Sequence, residues 1–148
     1  MRWLFLFAVL AAPAVAQNAP TVDPDDLLAV LGSPWGEAKG RVAAPDSGRV
    51  VGKSGTLLWR SPDREVASLY LVVRRGVAVE IAAAAAPRAA GDFDRFVAEA
   101  RAELGPPAAD GFYRTDPFSG AGGRRDLEVR FDETARTMTI RVPLADQP

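Results

Sequence analysis

Apolar positions along this chain fall into four patterns, and each implies a different element. The first is an unbroken run, Trp3-Leu4-Phe5-Leu6-Phe7-Ala8-Val9-Leu10, with Arg2 before it and Ala14-Val15-Ala16 after it. A cation, a short apolar run and a small-x-small site in that order are what a signal peptidase reads. Residues 1–16 are therefore expected to be a cleavable signal peptide. The run is too short to cross a membrane, which takes ~20 residues. Residues 17–22 read as a flexible lead-in, and 23–148 as one domain.

The second pattern is helical. Asp23 is a good N-cap, Pro24 suits the first helical position, and Leu27, Leu28, Val30 and Leu31 give a short helix an apolar side before Gly32 and Pro34 end it. The clearest helix is 92–104. Phe93, Phe96, Val97, Ala100 and Leu104 share one face, Asp92 is placed to cap it, Arg95 and Glu99 stand at i,i+4, and Gly105-Pro106-Pro107 stops it.

The third pattern is alternation. Leu127, Val129 and Phe131 alternate with polar residues, as do Met138, Ile140 and Val142, which predicts a hairpin with one face buried. Val66 to Val73 and Val77 to Ala83 predict another hairpin, turning at Arg74-Arg75-Gly76. Thr56 to Arg60 predicts a further strand, and Gly111 to Arg114 a short one.

The fourth pattern is no period at all. Residues 32–55, with room for a short strand around Arg49-Val50-Val51, and Asp116 to Gly123 read as glycine-rich loops, and Ala82 to Gly91 as an alanine-rich connector. The fold class expected is α+β: an antiparallel sheet of about six strands with two helices on one face. The halves also echo each other, either as a helix-then-three-strands unit used twice or as one solution to the same packing problem reached twice. Leu31-Gly32-Ser33-Pro34 and Leu104-Gly105-Pro106-Pro107 end the two helices, and Trp59-Arg60 and Tyr113-Arg114 end the strands that follow.

On those residues the chain resembles small exported α+β proteins of the SmpA/OmlA (BamE) outer-membrane assembly type and the secreted β-lactamase inhibitor proteins. The resemblance is one of topology, and it implies a binding or assembly role rather than catalysis. Proteins of the assembly type are usually lipoproteins, whereas this sequence has no cysteine to acylate.

Composition narrows the chemistry. Cleavage would remove one of 18 cations and none of 19 acids, leaving a slightly acidic domain that is no natural partner for nucleic acid. No other apolar stretch is long enough to span, so neither a membrane span nor a lipid anchor is expected, and the address implied is periplasmic or secreted. With no His and no Cys, the commonest general base and the usual zinc ligands are missing. Gly52-Lys53-Ser54 fails as a phosphate loop, because Ser47 stands where the motif needs glycine.

Carboxylate pairs remain. Asp63/Glu65 and Asp132/Glu133 are expected in hairpin turns and Asp92/Asp94 at a helix start, where turn and capping chemistry account for them. Nothing implies a cofactor or a metal.

The residues that fit a recognition patch are Trp35, Trp59, Arg60, Tyr113 and Arg114, with Arg41, Arg49 and Lys53 adding charge. Against that, a tryptophan is mostly buried, so Trp35 and Trp59 are expected first to fold back over the core. The function expected is non-enzymatic binding or envelope assembly, with another protein or an envelope component as partner. The alternatives are a carboxylate-dependent cell-wall hydrolase and a small-ligand carrier.

Overall fold

Strict alternation along neighbouring strands leaves one apolar face, and that face decides the architecture. The structure, a computed structural model, describes residues 19–42, 49–51, 54–120, 123–144 and 147. The expected signal peptide and Gly52-Lys53 lie outside the described residues. Strands run in chain order as β1 (Arg49–Val51), β2 (Ser54–Trp59), β3 (Val66–Arg74), β4 (Val77–Ala85), β5 (Tyr113–Arg114), β6 (Phe118–Gly120), β7 (Gly123–Arg125), β8 (Glu128–Asp132) and β9 (Thr137–Arg141). Helices are α1 (Pro24–Val30), α2 (Trp35–Ala38) and α3 (Ala90–Leu104).

The fold is α+β, as expected. Six antiparallel strands form the body of the sheet in the order β2-β3-β4-β9-β8-β5, and the short β1 extends the β2 edge. Two sets of three, β2-β3-β4 and β5-β8-β9, meet through their third strands. Their strand order is therefore the same from either edge.

Side-chain rows follow from the register. One row crosses Leu57, Leu71, Ile81, Ile140, Val129 and Tyr113; the next crosses Trp59, Leu69, Ala83, Met138 and Phe131. Both rows belong to the face that carries the helices. Leu27, Val30 and Leu31 pack over the β2-β3-β4 half, and Val97 packs over the β5-β8-β9 half; Ile140 touches both clusters. Fully burying one such aliphatic side chain is worth about 1.5–3 kcal/mol. The helices are held by this face rather than by their own length.

Turns obey local chemistry. The β3–β4 hairpin closes through Arg75 (φ 50°) and Gly76 (φ 80°), the double positive φ that matches strand twist. Asp23 caps α1 as expected, accepting from the Asp25 N–H at 2.9 Å.

Several expectations change. Residues 19–22 are pinned along Arg60: Val22 N–H donates to the Arg60 carbonyl at 2.9 Å, and Ala19 and Val22 are buried. Loop 32–55 contains the short helix α2, while its strand β1 falls at Arg49–Val51 as expected. The alanine connector is strand through Ala85, because β9 pairs with it and supplies the hydrogen bonds that alanine propensity would not. Helix α3 starts at Ala90 behind a 3-10 turn at Pro87–Ala89, so Asp92 lies in the first turn instead of capping it. Arg95 pairs with Asp92 and not with Glu99. The glycine-rich stretch 116–123 includes β6, which forms a two-stranded ribbon with β7.

Candidate functional site

Along the second row, Ala83 carries a methyl group between Leu69 and Met138. The sheet is dented there, and α3 crosses above without filling the dent. The result is an open cleft of about 300 Å³ whose apolar wall includes Val66, Ala83, Ala85, Phe93, Phe96 and Met138. A second cleft of about 280 Å³ lies where Leu28 of α1 and Ala100 and Leu104 of α3 stand over Leu127, Val129 and Ile140.

Phe96 and Met138 line both clefts, so the two adjoin as a trough on the helix side of the sheet with these side chains standing between them. Phe96 is 47% exposed, although it shares its helix face with Val97, which is buried. Its ring meets Phe131 edge-on, with centroids 6.0 Å apart, and the rest of it faces water. An apolar ring left wet on the core face of a helix is the strongest surface signal here.

Three carboxylates stand at the wall of the first cleft: Asp63, Glu65 and Asp92. The turn before β3 supplies two of them and the first turn of α3 the third. They meet because the β3–β4 hairpin returns the chain to its own starting edge, where Ala86 N–H donates to the Glu65 carbonyl at 2.7 Å. Asp63 accepts from the Glu65 N–H at 2.9 Å, and Asp92 is paired with Arg95. All three residues are exposed, and among the described residues no other charged residue lines the cleft. Among the described residues, no group of His, Cys, Asp or Glu is arranged to hold a metal ion.

The residues singled out from sequence lie elsewhere. Trp59 is fully buried and Trp35 is 9% exposed; the two rings meet edge to face at 6.4 Å inside the core. Arg60 holds the incoming chain, donating from Nε to the Ala19 carbonyl at 2.7 Å. Tyr113 is buried on β5, at the opposite end of the sheet body from β2, so Trp59-Arg60 and Tyr113-Arg114 do not flank one cleft. Arg114 and Arg41 are exposed.

Comparisons with family models, curated proteins and solved structures return no relative.

The sheet's other face is charged where β4, β9, β8 and β5 adjoin. Glu80, Arg141, Glu128 and Arg114 alternate in sign along one register row. Arg141 donates to Glu128 at 2.8 Å and to Asp110 at 2.5 Å, and its guanidinium covers the buried Phe112 ring. The bond from Arg141, then the Phe112 N–H, holds the Asp110 carboxyl below the usual carboxylate range. Burial opposes the charge on Arg141, but its bonds to Glu128 and Asp110 outweigh that and raise its pKa. Arg141, Glu128 and Asp110 are thus bonded together, which ties the turn before β5 to the sheet. Among the described residues, no helix is long and apolar enough to cross a membrane.

Proposed function

We propose that this chain is an exported, non-enzymatic binding module that receives an apolar part of an envelope component in the trough beside α3. One observation carries the reading: Phe96 stays 47% exposed on a helix face made for burial, and it lines both clefts. Clefts of this size, mostly apolar with a few polar groups at the wall, suit small ligands or protruding side groups. Export rests on Arg2, the apolar run 3–10 and Ala14-Val15-Ala16.

A neutral fluorescent probe, N-phenyl-1-naphthylamine, tests the binding half. The reading expects saturable, blue-shifted emission with the wild-type chain and its loss in Ala83→Leu, which fills the dent. Emission no brighter than with an unrelated folded protein would contradict it. Fusion of residues 1–22 to a phosphatase active only outside the cytoplasm tests the address; an inactive fusion would remove export.

A further inference from the structure

We infer that the end of the sheet bearing the β3–β4 turn docks on an anionic membrane surface. None of the residues concerned lines either cleft, so the inference goes beyond the proposed binding role and does not rest on it. The chain as a whole has a formal charge of −1 at pH 7, so attraction to such a surface depends on where the charges lie.

Backbone pairing gathers cations at this end. Arg74 and Arg75 stand at the turn, and the Gly76 carbonyl accepts from the Trp35 N–H at 2.7 Å, which seats α2 against it. Lys39 ends α2 and Arg41 follows; Ala38 and Val42, which flank them, are buried in one cluster with Val73 and Ala78 beside the turn. Lys39, Arg41, Arg74 and Arg75 are all exposed, and their side chains form no ion pair or hydrogen bond among the described residues. Over the described stretches 34–42 and 72–79 the one carboxylate is Glu37. At the far end of the same strands cations are matched instead: Arg95 pairs with Asp92, and Arg101 with Glu133. Arg75 also holds a positive φ of 50°, a turn position that favours Asn or Asp, so turn chemistry does not account for the arginine.

Leu144 decides the class of partner. Val142 N–H donates to the Val79 carbonyl at 3.0 Å, so the chain leaving β9 runs beside β4 toward the same turn. Leu144 lies on that continuation and is 60% exposed, against 47% for Phe96. A wet leucine beside unpaired cations matches a bilayer interface, where the apolar side chain enters the headgroup layer and Lys and Arg meet lipid phosphates. An acidic polymer would engage the cations and leave Leu144 in water.

The test is co-sedimentation of the whole chain with lipid vesicles, so that residues 1–18 contribute equally to every variant. Arg74→Gln with Arg75→Asn should lower partition into phosphatidylglycerol vesicles about tenfold at ~0.1 M salt, with phosphatidylcholine vesicles unaffected. Arg64→Gln with Arg136→Asn removes the same charge at the far end, again placing Asn at a φ of 50°, and should change neither. Leu144→Ser should weaken binding to the anionic vesicles with every charge intact. Asparagine suits both turns, so circular dichroism should report the native fold in each pair. Equal losses from the two pairs, or no loss from the first, overturn the inference. A loss from the first pair with Leu144→Ser silent, or tighter capture by poly-glutamate than by the vesicles, makes this end a site for an acidic polymer and also overturns it.

Discussion

Trp35 meets Trp59 edge to face, with centroids 6.4 Å apart, and this contact joins a four-residue helix to the helix side of β2. Both rings belong to the cluster under α1. Trp59→Ala should therefore cost about 3–5 kcal/mol through the cavity it leaves. Chemical denaturation would read this directly. A variant that kept full stability would contradict the placement of the ring.

Phe96 predicts the opposite balance. Half its surface is already wet, so Phe96→Ala should cost only about 1 kcal/mol, mainly from the edge contact with Phe131. It removes a wall from both clefts, however, and should weaken probe binding clearly. Stability and binding measured on the same preparation separate the two effects.

Gly32 carries a steric prediction. Its φ is +84°, and a Cβ there would lie 2.9 Å from Arg125 Nε. Arg125 also donates to the Gly32 carbonyl at 3.2 Å. Gly32→Ala combines backbone strain with that collision and should lose about 1–3 kcal/mol. A melt unchanged from wild type would show that the end of α1 is looser than described.

Acid unfolding should depend on Asp110. Its carboxyl titrates below the unfolded value of about 3.9, because Arg141 and the Phe112 N–H bond the charged form. Its stabilisation is therefore present above that value and is lost as pH falls through the lower folded one. Asp110→Asn should be less stable than wild type at neutral pH, and the difference should close at acid pH. Melting temperatures across pH 2–7 check this; a constant difference would contradict it.

The alternating strands and the core face of α3 were legible because a buried face imposes a period on the residues that line it. The burial of Trp35 was legible from its type, but the helix that carries it was not, since Pro34 before it and Gly36 after it conceal a short helix, and its partner is 24 positions away. Ala82–Ala85 lack strand propensity and become strand only through pairing with β9. The convergence of Glu65 with Asp92 depends on hairpin register and on where α3 begins, neither of which leaves a local signal. Asp92 was correctly placed at a helix start, but nothing in its neighbourhood points to residues near position 65. Arg141 was missed as a network centre because an arginine in an alternating strand reads as an ordinary outward residue.

The central claim is that ligand enters on the helix side of the sheet, at the dent over Ala83. Ala82 and Ala83 are neighbours on β4 with opposite orientations, the first in register with Thr139 on the outer face and the second with Met138 under α3. Methyl resonances of Ala82, Ala83 and Met138 followed during titration with N-phenyl-1-naphthylamine test the claim most directly. The account predicts saturable shifts at Ala83 and Met138 with Ala82 nearly still. Larger shifts at Ala82, or none at Met138, would contradict it.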